Sequence, residues 1–326
     1  MSTTVEHLPG DSTPGQDQDR SASVRAMLKG ADARRKRTDR GMTVMVYLAF
    51  ALAMVPLISV SWTVLSNGIE RFNLYFLTNS MRGVFGGIDA GGIYHAIVGT
   101  VQITLAAAVI SVPIGILAAV YLVEYGRGLL ARSVTFFVDV MTGIPSIVAG
   151  LFAYALFAVF FGPGIRMGIV GAVALSVLMI PVVVRSTEEM LKLVPNELRE
   201  ASYALGVPKW LTVVKVVLRT SVAGIVTGVM LSIARVIGET APLLITVGVI
   251  DSINNNLFEG RMMTLPVYVY RQYQQGYVPC AADAADCIST INFDRAWAAA
   301  LTLILIVMAL NLLARLISRY FSPKLR

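Results

Sequence analysis

Of the chain's 326 residues, 56% are hydrophobic and only 14% are charged, against about 25% charged in an ordinary soluble domain. The apolar residues fall in long uncharged blocks and the mean hydropathy is +0.70, which excludes a soluble enzyme and points to an all-α polytopic membrane protein. The net charge of +7 follows from where the basic residues lie and does not call for nucleic acid.

Residues 1–41 read as a basic N-terminal tail. Positions 1–30 are rich in Ser, Thr, Gly, Asp and Gln and are expected to be disordered. The run ADARRKRTDR ahead of the first apolar block is expected to anchor topology rather than bind a polyanion. A signal peptide is not expected, because the polar leader is too long and the first block is long enough to span.

From residue 42 to the end the chain reads as one domain of six transmembrane helices, at about 42–66, 96–123, 134–161, 167–184, 221–250 and 296–314. Each is long enough to cross a hydrocarbon core that needs about 20 helical residues, the fourth only just. The second block carries no charged residue, whereas the third carries Asp139, expected to partner a base near its inner end. Pro56, Pro113, Pro145, Pro181 and Pro242 each fall within a span, where they free a backbone carbonyl and permit bending. Gly224 and Gly228 form a G-x-x-x-G pair suited to close helix approach.

If the N-terminus is inside, the cytoplasmic segments hold 20 Lys and Arg and the opposite ones 6. Basic residues are retained on the cytoplasmic side, so both termini are expected there.

Two connections are long. The outer one, 251–295, contains Cys280 and Cys287, the only cysteines. A disulfide pinning that loop is expected, with two free thiols as the alternative. Metal ligation has little support, since His7 and His95 are the only histidines.

The inner connection, 185–220, contains a short helical pattern. Asn196 is the expected N-cap, with Glu197 in the first turn. Leu198, Ala201, Ser202 and Leu205 share one face, Gly206 supplies the stop and Pro208 prevents continuation. Such a helix can fit a groove in a partner or lie flat at the lipid interface.

The stretch EASYALGVPKWLTVVKVVL (200–218) resembles the EAA loop of ABC-importer permeases. Glu200, Ala201, Ser202, Gly206, Val216 and Leu218 match it, with Ser202 for the second alanine and Arg219 in place of the usual proline. Together with GIPSIVAGLFAY (143–154) and IGETAPLL (237–244), it is similar to the PstA-type permeases of phosphate ABC importers, over about residues 95–320.

The resemblance implies the type I importer permease fold and a non-catalytic subunit in a bacterial plasma membrane. Residues 197–206 would dock on an ATPase, with Glu197, Glu200, Ala201, Leu205 and Gly206 as the coupling residues. The chain has no G-x4-G-K-[ST] phosphate loop, so no cofactor is expected on it. ATP and Mg would be bound by a homodimeric partner subunit. The other implied partners are a PstC-like sister permease, an extracytoplasmic phosphate-binding protein, phosphate itself and membrane lipid.

Arg235 and Glu239 stand four residues apart in the fifth block. A charge at the centre of a membrane helix costs about 2.5–3.5 kcal/mol on insertion scales. Counting from Val222, Arg235 would lie about 20 Å along the helix. Its guanidinium suits a phosphate oxyanion, with Glu239 competing for it and aiding release. The alternative is a structural ion pair. Sulfate or molybdate would be served equally by the same chemistry. An ion-coupled secondary transporter using Glu239 and Asp139 is a further rival, but it would leave the EASYALG stretch unexplained.

Overall fold

The computed structural model describes residues 14–280 and 287–321, with side chains from 35 to 280 and from 287 to 319. Two units are distinguished, residues 1–62 and 63–326.

The first unit consists of most of helix α1 (Pro14–Gly68). It is helical from Pro14. From Arg35 onward α1 is a candidate span of 34 residues. Pro56 lies inside it without ending it.

In the second unit, a short helix α2 (Leu74–Thr78) precedes α3 (Tyr94–Val120), which passes into a π-helical turn at Tyr121–Tyr125. Next come α4 (Gly128–Thr142), α5 (Ser146–Phe161) and α6 (Gly168–Lys192). The inner connection folds as α7 (Asn196–Ala204) and α8 (Lys209–Thr212), and a second π-helical turn, Val213–Val217, leads into α9 (Leu218–Ile237). Finally come α10 (Ala241–Thr246), α11 (Leu265–Gln275) and α12 (Ile291–Phe321).

Five helical segments are long and apolar enough to span, and the α4–α5 pair makes a sixth if taken as one broken span. The chain is therefore an all-α multi-pass membrane protein. Two expected spans are corrected. The third block is two helices bent by 110°. Pro145 lacks an N–H and disfavours helix at Ile144, and Gly143 closes α4, so the ladder stops there. The fifth block ends at Ile237, and its second half restarts at Ala241 with Pro242 in the first turn. That span begins earlier than expected, running from Lys209 to Ile237. Pro113 and Pro181, by contrast, lie within unbroken helices.

The core sits between α3 and α6. Ile103 and Ala107 of α3 and Leu175, Met179 and Val183 of α6 are fully buried in one cluster. At Gly115 the two helices approach so closely that a Cβ would lie 2.6 Å from Val183 Cγ1. The α6–α9 contact uses the G-x-x-x-G pair: Gly224 faces Met190, and a Cβ at Gly228 would lie 2.6 Å from Ser186 Oγ. The pair thus serves packing within this chain. The start of α11 is tied to α3 through Thr100, whose hydroxyl accepts from the Leu265 N–H at 2.8 Å and donates to the Ala96 carbonyl at 2.7 Å.

Candidate functional site

Two exposed features carry the motifs singled out in the sequence. The first is α7. Its N-cap is Pro195 rather than Asn196, and no side chain caps it. Asn196 instead accepts from Arg199 Nη1 at 3.2 Å. The helix ends at Ala204, after which Gly206 takes a φ of +76°, the left-handed conformation that glycine reaches without a Cβ clash.

Arg199 and Ser202, three residues apart, face inward. Nε and Nη2 of Arg199 donate to one carboxylate oxygen of Glu124 at 3.0 and 2.9 Å. Nη1 reaches the Val194 carbonyl at 2.6 Å and Nη2 the Leu191 carbonyl at 3.0 Å. The side chains of Arg199 and Glu124 are 13% and 5% exposed. Ser202 is buried against the Thr212 hydroxyl at 2.8 Å. Lys209 adds a bond to the Glu124 carbonyl and lies 4.8 Å from the Tyr125 ring centroid.

These bonds attach α7 to the π-helical end of α3, to the end of α6 and to α8. The opposite face is open: Glu197, Leu198, Glu200 and Ala201 are exposed, as are Gly206 and Leu205, the latter 83%. Ser202, expected on that open face, is on the anchored one. The Arg199–Glu124 pair was not read from the sequence, because its members lie 75 residues apart.

The second feature is the break between α9 and α10. Arg235 is exposed in the last turn of α9, Gly238 follows as the C-cap, and Glu239 lies beyond the helix end, partly exposed. The shared helical face expected for the two is therefore interrupted. Among the described residues neither side chain joins any of the six ion pairs.

The break rests on the other bent segment. A Cβ at Gly150, in GIPSIVAGLFAY, would lie 2.6 Å from the Cα of Pro242, in IGETAPLL. Two stretches that resemble the same family, about 90 residues apart in the chain, are packed together. An open cavity of about 570 Å³ lies beside them, lined by Ile147, Thr240, Leu244 and Tyr270 among others. In the last turn of α4, just before the bend, Asp139 accepts from Arg185, which also pairs with Glu188 at 2.8 Å.

In the loop between α11 and α12, Cys280 and Cys287 form a disulfide with Cα atoms 5.7 Å apart. The Ile288 N–H donates to the Gly87 carbonyl at 2.9 Å and holds the end of this loop. On α11, burial pushes the Tyr268 hydroxyl well above the usual tyrosine value, so it stays protonated. Among the described residues no group of acidic, histidine and cysteine side chains could hold a metal ion.

Residues 111–326 match the family described as the binding-protein-dependent transport system inner membrane component. The phosphate transport system permease protein PstA 1 of Mycobacterium tuberculosis is 45% identical over 90% of this chain and 91% of its own length. The PstA protein of Mycobacterium leprae is 44% identical over 88% of this chain and 90% of its own. That of Yersinia pestis is 35% identical over 92% and 97%. Among solved structures, a chain of the MetNI methionine ABC transporter in an inward-facing conformation superposes with a TM-score of 0.51 at 22% identity, covering 71% of this chain and 95% of that one. A chain of a bacterial alginate ABC transporter superposes with a TM-score of 0.60 at 11% identity, covering 88% and 96%. These two share the fold of ABC-importer permeases. With its EASYALG helix exposed and its two broken segments packed against one another, the chain belongs to the binding-protein-dependent transport system inner membrane components and, among them, to the PstA-type permeases of phosphate transport systems.

Proposed function

We propose that this chain forms half of the membrane pathway of an ATP-driven importer of inorganic phosphate and performs no covalent chemistry itself. The observation that carries this reading is α7, a short helix with Glu197, Glu200 and Leu205 exposed on one face and a largely buried, multiply bonded arginine on the other. A helix held this way transmits force applied to its open face into the ends of α3 and α6. The open face is the docking surface for a separate ATPase dimer, which binds ATP and Mg. A PstC-like sister permease completes the pathway, and an extracytoplasmic binding protein delivers phosphate. The excess of basic residues on one side, 20 against 6, supports cytoplasmic termini and an α7 on the same side.

Arg235 and Glu239 line the pathway in this reading. A guanidinium at the end of a membrane helix with no carboxylate partner among the described residues can meet an oxyanion. Glu239, just across the break, weakens that site enough for the anion to leave.

The test is uptake of labelled phosphate, with labelled sulfate alongside, in cells lacking the gene and complemented with wild type or Glu200→Lys. Wild type restores phosphate uptake, and Glu200→Lys, inserted at normal level, does not. Restoration by both would remove the coupling role of Glu200. A change in sulfate uptake alone would overturn the substrate.

A further inference from the structure

The end of α6 remote from α7 carries two arginines brought together from separate loops, Arg166 and Arg261. The Met167 N–H donates to the Thr246 carbonyl at 3.2 Å, and the Met262 N–H donates to the Val247 carbonyl at 3.3 Å. The arginine preceding each methionine is therefore laid against the segment leaving α10, and the two stems meet over Gly248. A Cβ there would lie 2.8 Å from Cδ of Arg166 and 3.3 Å from Cδ of Arg261. Gly248 has a φ of +78°, which glycine adopts without a Cβ clash, and a side chain at this position would push the arginines apart. Asn254 fixes the second loop, donating to the Glu259 and Arg261 carbonyls at 2.8 and 2.9 Å.

The backbone is thus held by several bonds, and the charged heads are not. Both arginines are exposed, and among the described residues neither joins an ion pair. The carboxylates of the same loop are engaged, Asp251 with Arg271 at 2.8 Å and Glu259 with Asn256 Nδ2 at 3.4 Å. Two like charges held side by side favour a shared counter-anion.

Depth and surroundings indicate which anion. α6 has 25 residues, about 37 Å at 1.5 Å per residue, against a hydrocarbon core of about 30 Å. Arg166, just ahead of its first turn, stands at the level of the lipid headgroups. The adjoining surface is apolar. Phe157 of α5 packs with Met167 and stacks on Phe161, and Phe160 and Phe161 are exposed, as is Phe258 in the loop that carries Arg261. A free inorganic anion gains nothing from such a surface. A phospholipid uses both parts, its acyl chains covering the aromatic side chains while its phosphodiester meets the guanidinium groups.

We propose that Arg166 and Arg261 together bind the phosphodiester of an anionic phospholipid in the extracytoplasmic leaflet. The choice of leaflet rests on the function proposed above; the lipid contact does not. Each planar guanidinium offers paired N–H donors to phosphodiester oxygens. Neither arginine belongs to the α9–α10 break, so the site is separate from Arg235 and Glu239.

The test uses the purified complex of this chain with its sister permease and ATPase, in nanodiscs containing a photoactivatable phosphatidylglycerol or the matching phosphatidylcholine. After illumination, the lipid-bearing peptides are mapped by mass spectrometry. Wild type is compared with the double variants Arg166→Gln/Arg261→Gln and Arg166→Lys/Arg261→Lys, and with Arg82→Gln, at an exposed arginine in another loop. Phosphatidylglycerol should label the peptides around Arg166 and Arg261 well above phosphatidylcholine. The double Gln variant should lose about tenfold or more of that labelling at an unchanged unfolding midpoint. The double Lys variant should keep most of it and Arg82→Gln all of it. The single variants Arg166→Gln and Arg261→Gln, each expected to fall between, carry the comparison if the double Gln variant unfolds early.

Equal labelling by the two lipids, or labelling kept in the Gln variants, would overturn the proposal. Labelling abolished by inorganic phosphate would assign the pair to the free anion. Labelling abolished by the extracytoplasmic phosphate-binding protein would assign it to a protein face. Either result would overturn the lipid as occupant. Labelling needs only the assembled complex, so its failure is told apart from a failure of phosphate uptake.

Discussion

Arg199 and Arg235 both lie close to the ends of membrane helices, in opposite surroundings. Arg199 is largely buried and donates through Nε, Nη1 and Nη2 to Glu124, Leu191, Val194 and Asn196. Arg235 is exposed at the end of an apolar helix and has no ion-pair partner among the described residues. A guanidinium whose donors are all satisfied inside the chain is structural, and what it fixes is the position of α7. One left open in a membrane helix is energetically incomplete until something outside the chain meets it.

The largest effect is expected at Arg199. Arg199→Ala leaves Glu124 buried and unpaired, and losing one member of a buried pair costs about 3–5 kcal/mol. The cost falls locally, on the attachment of α7. Limited proteolysis should then cut between residues 193 and 208 much faster than in wild type, and phosphate uptake should be lost. The double exchange Glu124→Arg with Arg199→Glu keeps the charges opposite and should recover part of both. A variant Arg199→Ala that transported normally would show that α7 needs no such anchor.

Replacing Arg235 should leave the fold untouched and affect transport alone, which is the inverse pattern. A charge-assisted hydrogen bond is worth about 1.5–3 kcal/mol, which corresponds to roughly a 10- to 150-fold effect. Arg235→Gln should lower phosphate uptake by that order while assembly and the unfolding midpoint of the complex stay near wild type. Arg235→Lys, which keeps the charge but not the planar fork, should fall between. If Arg235→Gln lost assembly together with uptake, its role would be structural and the contrast with Arg199 would collapse.

The same two arginines show what could be read from the chain alone. Arg235 was conspicuous because it interrupts an apolar block, and hydropathy registers that directly. Arg199 was not, since a basic residue in a loop between spans is ordinary and its partner Glu124 follows a different span. Pairing across 75 residues is a property of the fold, invisible to periodicity. The prolines make a similar point. Five were visible within the apolar blocks, but only Pro145 and Pro242 stand at helix starts, each with a glycine closing the helix before it, Gly143 and Gly238. Pro56, Pro113 and Pro181 have no such glycine and the helix continues through them. The short helix 197–206 was legible because its stop signal is local, in Gly206 and Pro208. Ser202 turns inward, away from the face it was expected to share with Leu198, Ala201 and Leu205, because the anchor that sets the helix's rotation is Arg199.

The smallest effect is expected at Gly206 and separates what anchors α7 from what touches it. Its φ of +76° favours glycine, yet nothing lies within 4 Å of the position a Cβ would take. Gly206→Ala therefore meets backbone strain alone, about 1 kcal/mol. Gly206→Asn costs less, because asparagine tolerates the left-handed region. With Arg199 still holding the helix, both variants should keep the unfolding midpoint within a few degrees of wild type, and phosphate uptake should fall less than about threefold. Loss of uptake in both at an unchanged midpoint would have a different cause. The added side chain would then be colliding with another subunit, placing the docked ATPase directly over Gly206 rather than only over the Glu197–Leu205 face. Equal uptake in Gly206→Ala and Gly206→Asn would leave strain as a minor term and confine the contact to α7 itself.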